Sequence, residues 1–246
     1  MQIVLPVFEH SIYSVILAAS ILIGIIVACI MMRRAGAKKD TVFYTALFVF
    51  VSIVVCSFTM SFCFTGNIKD IGFVGAGGAL GVLVGAGLSI FIHEDHMSDS
   101  LSAWIITAPL MYGLSKLACH FSGCCYGFKY EGPFAVIYKG GDYVEAPLNT
   151  PLFPVQILES VIFILIFITG FILYGKMKST INASLVTIVL CVFFKCLLDI
   201  FRNRGGLRIS SNKIMAVTVG TVSIIFILLA KKLIMEYEDG SKQSKQ

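Results

Sequence analysis

Seven blocks of about 20 predominantly apolar residues fill most of this chain, and a block of that length is what a helix needs to cross the hydrocarbon core of a bilayer. The blocks fall at 11–32, 41–64, 71–92, 98–117, 155–174, 183–201 and 211–234. They are apolar throughout and carry no amphipathic stripe, and with 57% hydrophobic against 13% charged residues a soluble core cannot account for them. The fold class that follows is an all-α integral membrane protein: seven transmembrane helices in one membrane domain spanning 1–246.

The first block lacks a basic start and a small-residue cleavage site, so it reads as a retained helix and not a signal peptide, and the whole chain is expected in the mature protein. Orientation follows from the basic residues in short loops. Arg33, Arg34, Lys38 and Lys39 follow the first helix and no Lys or Arg precedes it, which places the N-terminus outside. Seven crossings then put Lys231, Lys232, Lys242 and Lys245, with the polar tail 236–246, in the cytoplasm. The loop holding Arg202, Arg204, Arg208 and Lys213 runs against this bias. Two readings stand for it: guanidinium groups that hold an anionic headgroup, or ordinary snorkelling at a helix end.

The connection 119–154 is too long for a turn and is expected to form a small extracytoplasmic subdomain between helices four and five. Within it a strand pair is expected around 134–138 and 143–146, joined at Gly140-Gly141-Asp142.

Ionisable groups inside apolar blocks are costly and need a reason. Lys195 and Asp199 stand four apart on one face of helix six, where they pair with each other or with another buried polar group. Gln156 and Glu159 follow Pro154 in the first turns of helix five, where Glu159 also suits the helix dipole. The run from Gly72 through Gly77, Gly78 and Gly81 to Gly85 and Gly87 serves close helix packing, brings backbone amides to a phosphate, or does both.

The segment Ser115-Lys-Leu-Ala-Cys-His-Phe-Ser-Gly-Cys-Cys-Tyr-Gly127 gathers Lys116, Cys119, His120, Cys124 and Cys125 near a membrane boundary. Cys29, Cys56, Cys63, Cys191 and Cys196 lie within helices and behave as small hydrophobes. With His120, Cys119, Cys124 and Cys125 could ligate a metal, but they match no common zinc spacing and no metal is assigned to them; an outer-face disulfide and a nucleophilic thiolate near Lys116 are the other readings.

In its order of landmarks, nearly the whole chain resembles the prolipoprotein diacylglyceryl transferase family of seven-helix bacterial membrane enzymes. Tyr13 falls where that family has an essential tyrosine, and Gly77-Gly78-Ala-Leu-Gly81 matches its His-Gly-Gly-Leu-Ile-Gly segment. Ser115 to Gly127 aligns without a gap to Gly-Arg-Ile-Gly-Asn-Phe-Ile-Asn-Gly-Glu-Leu-Trp-Gly, and Pro154-Val-Gln-Ile-Leu-Glu159 to Pro-Ser-Gln-Leu-Tyr-Glu. Lys195-x-x-x-Asp199 with Phe201-Arg202 resembles Arg-x-x-x-Glu-Phe-Phe-Arg, and Ile209-Ser210 opens the last helix as in the family. The departures fall on the chemistry: Ala76 replaces the family histidine, Lys116 its arginine, Cys119 and Cys124 its Asn and Glu, and Cys191 its helix-six tyrosine.

The resemblance implies transfer of a diacylglyceryl group from phosphatidylglycerol, or a related anionic phospholipid, to the thiol of a lipobox-containing preprolipoprotein or to another nucleophile, at the outer interface of the bacterial cytoplasmic membrane. It implies catalytic roles for Tyr13, Lys195, Asp199 and, at the position of the family Glu, Cys124, and substrate binding by Lys116, Gly77, Gly78, Cys119, Gly127, Gln156, Glu159 and Arg202; the reaction's need for a base, and not the resemblance, adds His120 as a catalytic candidate. His120 is the nearest base, with His10 at the start of helix one as the other; both types are also common interface residues. No cofactor and no nucleic-acid partner are expected. Two other functions fit the same residues: acyl or glycerophosphate transfer through a cysteine intermediate, and phospholipid binding without catalysis.

Overall fold

The computed structural model describes residues 2–6, 12–70, 72–140, 144–202 and 211–243, with 70, 211–212 and 238–243 described by backbone alone. Among the described residues there are seven α-helices: α1 Tyr13–Arg34, α2 Lys39–Thr65, α3 Gly75–Ile92, α4 Met97–Ser122, α5 Val155–Lys176, α6 Thr180–Leu198 and α7 Ser211–Gln243. Among the described residues, six helices are long and apolar enough to cross a membrane, all but α4. Rows of fully apolar side chains such as Val15, Leu22 and Ile26 on α1, or Phe43, Leu47 and Val51 on α2, stay exposed. Surfaces of that kind face lipid, and the chain is a multi-pass membrane protein.

The exception explains itself by position. α4 packs against α1, α3, α5, α6 and α7, and Leu101, Trp104 and Ile106 are wholly buried along it. A helix ringed by other helices needs no lipid-compatible face, so it tolerates Ser100, Ser102, Thr107 and Lys116. Thr107 satisfies its hydroxyl on the carbonyls of Ala103 and Trp104, at 2.9 and 3.1 Å.

Glycine sets the closest helix pair. A Cβ built on Gly77, Gly81 or Gly85 would lie 2.6 Å from Cys56 O, 2.5 Å from Ile53 Cα and 2.5 Å from Val49 Cα respectively. These glycines recur every four residues, so one stripe of α3 meets α2 backbone to backbone. α3 begins at Gly75 and not at 71 because the preceding segment is tied to α2: Ser57 Oγ accepts from Val74 N at 2.8 Å, and Ser61 Oγ accepts from Gly72 N at 2.9 Å.

The segment between α4 and α5 departs from the expected hairpin. Its strand β2, Val136–Tyr138, pairs in parallel with β1, Ile3–Leu5, in the register Ile3↔Val136 to Leu5↔Tyr138. On its other edge Val136 exchanges two 2.9 Å bonds with Leu152. With both edges taken, 144–146 forms no strand, and Glu145 N donates instead to Ser122 O at 3.1 Å. Gly141, Asp142 and Tyr143 lie outside the described residues. Leu5, Val136, Tyr138, Ala146 and Leu152 make a small core of their own here.

Candidate functional site

Glu159 lies one turn into α5, wholly buried, and three cations from other elements converge on it. Arg202 Nη2 donates to both carboxylate oxygens at 2.9 Å. Lys195 Nζ of α6 donates to Oε1 at 2.9 Å, and Lys116 Nζ of α4 sits 3.4 Å from Oε2. Tyr112, one turn before Lys116, accepts from Lys195 through its hydroxyl and lies under both ammonium groups, 4.6 and 4.9 Å from its ring centre. A ring face attracts cations most strongly where water is excluded. Asp199 stands 3.9 Å from Arg202 Nε, so Lys116, Lys195 and Arg202 against two carboxylates leave one net positive charge.

Local backbone structure fixes Arg202. α6 ends at Leu198, and after the short 3-10 turn Asp199–Phe201 the backbone of Arg202 is extended. There Arg202 bridges to Gly127, and Phe128 N donates to Phe201 O at 3.3 Å. A Cβ on Gly127 would strike Phe153 O, so the close approach needs glycine. Phe128, Phe153 and Phe201 stack over this crossing at centroid distances of 5.4 and 5.2 Å.

The cluster forms one wall of a cavity of about 430 Å³ inside the bundle. Tyr112, Ser115, Lys116, Cys125, Lys195 and Arg202 supply its polar side, and Leu17, Ile53, Val82, Leu83 and Ile188 belong to its apolar side. The first turn of α3 borders it through Gly75, Ala76 and Gly78. A largely apolar, partly open cavity with a cationic wall can take an amphipathic molecule that carries an anionic group.

Over residues 1–235 the sequence matches the prolipoprotein diacylglyceryl transferase family. The chain belongs to that family. A relative from Clostridium tetani (strain Massachusetts / E88), named phosphatidylglycerol-prolipoprotein diacylglyceryl transferase, is 25% identical over 118 residues. That alignment covers 46% of this chain and 45% of the relative, so the chain is matched to under half the length of that protein. Membership makes the protein a member of a transferase family in lipoprotein biosynthesis.

Within this family fold the expected residues separate into groups. Lys116, Lys195, Glu159, Arg202 and Asp199 meet in one cluster. Lys195 takes Glu159, and not Asp199, as its carboxylate partner, and Glu159 is a hub for three cations beyond any helix-dipole effect. Gly77 packs on α2, whereas Gly78 borders the cavity with its own N–H bonded to Val74 O at 3.0 Å. Gln156 holds the Cys124 carbonyl through Nε2 at 3.0 Å. Tyr13 is the first residue of α1, half-buried, and is not among the residues that line the cavity.

His120 stands apart. It is buried in the last turn of α4 with its ring against Phe121, its carbonyl accepts from Tyr138 Oη at 2.7 Å, and its Nδ1 has no partner among the described residues. Among the described residues no histidine lines the cavity. His10, Arg204, Arg208, Ile209 and Ser210 lie outside the described residues.

The cysteine segment folds back on α4. Gly123 ends the helix with φ +67° and Cys125 follows at +56°, two left-handed residues that reverse the chain. All eight cysteines are free thiols. Hydrogen bonds from the thiols of Cys119 and Cys124, then the charges of Lys116 and Arg202, hold Cys125 below the usual thiol range against the opposing effect of burial. Tyr112 and Ser115 are site-wall residues that the sequence did not single out, while Cys125, one of the three thiols it did, lines the cavity. Tyr112 had a signal: it stands four residues before Lys116, on the same helix face.

Proposed function

We propose that the chain is a phosphatidylglycerol-dependent diacylglyceryl transferase of the bacterial cytoplasmic membrane, with its N-terminus outside and the tail 236–246 in the cytoplasm. In this reading 119–154 forms the extracytoplasmic cap of a single membrane domain, and the site opens at the outer interface. The observation that carries it is the wall on which Lys116, Lys195 and Arg202 share Glu159 beside an apolar cavity.

The chemistry asks for a cationic cradle more than for a strong base. The acceptor thiol sulfur attacks the glyceryl carbon; the C–S bond forms, the C–O bond to phosphate breaks, and the electron pair leaves on glycerol phosphate. The thiol proton is lost as the C–S bond forms, to the departing phosphate or to water; with a second pKa of about 6, the monoester passes most of it on to water at neutral pH. Fixed cations that face the developing charge stabilise it without reorganisation. Lys116, Lys195 and Arg202 fill that role, while Tyr13, Gln156, Asp199 and Glu159 orient them and the headgroup. Cavity placement favours this division over a histidine base, since Ala76 borders the cavity and His120 does not.

The test is release of glycerol phosphate from labelled phosphatidylglycerol by the purified protein, with and without a lipobox peptide. Peptide-dependent release is expected. A second reading rests on Cys125, which lines the cavity with Lys116 and Arg202: transfer through a covalent thiol intermediate. Peptide-independent release that is lost in Cys125→Ser or Cys124→Ser would favour it. Phospholipid binding with no release under any condition would leave a non-catalytic binder.

A further inference from the structure

The transferase reading leaves unexplained why three thiols gather at one point. Cys119 comes from the last turns of α4, and Cys124 and Cys125 return to it across the left-handed Gly123, so that the three Sγ atoms lie within 4.8 Å of one another. Around an ion with metal–sulfur bonds of about 2.3 Å, three sulfurs sit roughly 3.8–4.0 Å apart. Small side-chain rotations close the difference. An odd number of thiols is poorly suited to a disulfide, which would leave one sulfur over.

We propose that Cys119, Cys124 and Cys125 form a three-thiolate site for a soft thiophilic cation, Zn(II) or Cu(I). Thiolate donors select these ions over the hard cations Mg(II) and Ca(II). Each thiol releases its proton to solvent as its metal–sulfur bond forms. With Zn(II) the site carries one net negative charge, and Lys116 and Arg202 line the same cavity wall as Cys125. The site is supported from outside its ligands: Gln156 holds the Cys124 carbonyl, and Ser122 Oγ lies 3.4 Å from Cys124 Sγ. Supporting contacts of this kind orient metal ligands. Cys125 also borders the cavity, so an ion here has one ligand on the cavity wall.

The experiment uses the full chain in detergent with its thiols reduced, titrated with Zn(II), and separately with Cu(I), against a chromophoric chelator. One ion per chain is expected. Cys119→Ser, Cys124→Ser and Cys125→Ser should each weaken binding by more than the ~10–100-fold that loss of a supporting group costs. Cys63→Ser, at an exposed position on α2, should change nothing. A thermal melt keeps the comparison honest about folding: the ion should raise Tm in the wild type, and the triple serine variant should melt cooperatively with no shift. Stoichiometric binding retained in the triple variant, or wild-type binding of both ions no tighter than the triple variant's, would overturn the proposal.

Discussion

The two ends of the bundle use the same basic side chains in opposite ways. At the end that carries the N-termini of α2, α4 and α6, Arg33, Arg34, Lys38, Lys39, Lys176 and Lys232 are exposed. The Lys232–Glu236 pair there is 3.8 Å long with side chains 73% and 62% exposed. At the other end Lys69, Lys129 and Lys139 are exposed as well, but Lys116, Arg202 and Glu159 are 6%, 5% and 0% exposed and meet in one cluster. Exposed charges in water are worth little as pairs, whereas buried ones are costly to leave unmatched. Counting charges therefore misleads: Arg202, which the loop count set against the usual bias, is a buried site residue and no longer a loop charge.

The contrast breaks hardest at Glu159. Glu159→Ala strands three cations inside the bundle and should destabilise the fold by about 3–5 kcal/mol. A thermal or denaturant melt in detergent measures it; a loss no larger than that of Glu236→Ala would erase the distinction between the two ends. Lys116→Ala and Lys195→Ala come next. Each removes a charged partner worth about 1.5–3 kcal/mol, so use of phosphatidylglycerol should fall roughly tenfold to a hundredfold, read as kcat/KM in the glycerol phosphate assay.

At the opposite end the effects shrink. Lys38 leads into α2 without a side-chain cap of its own, and Asp95 from the α3–α4 connection stands in, accepting from Lys38 N at 2.7 Å and Thr41 Oγ1 at 3.3 Å. The Lys38 amide, then Thr41 and the neighbouring charges, hold the Asp95 carboxyl below its usual value. A depressed carboxylate contributes stability that is present above its unfolded pKa of about 4 and lost as pH falls through the lower folded value. Asp95→Asn should therefore melt slightly lower than wild type at neutral pH and converge with it in acid; a constant offset at all pH would remove Asp95 as the cause. Lys232→Ala, smallest of all, should leave the melt unchanged.

Much of the architecture was legible because lipid imposes one rule on whole helices: length and apolarity alone mark α1 to α3 and α5 to α7. α4 was legible by length, but its role as the enclosed helix was not, since burial inside a bundle leaves no periodic stripe in an already apolar chain. Lys195, Asp199 and Glu159 stood out as charges where charges are expensive. Which of them pair was hidden, because Glu159 meets Lys195 and Arg202 across 36 and 43 residues of chain. The expected hairpin failed for a related reason: local turn signals cannot reveal that β1, far away in sequence, takes one edge of β2.

The central claim is that the Glu159 cluster holds an anionic lipid headgroup. Equilibrium binding of phosphatidylglycerol and of zwitterionic phosphatidylcholine to the purified protein and to Lys195→Ala tests it most directly. The account predicts a clear preference for phosphatidylglycerol in the wild type that collapses in Lys195→Ala with the fold intact. Equal affinity for both lipids, or a preference unchanged by the substitution, would contradict it.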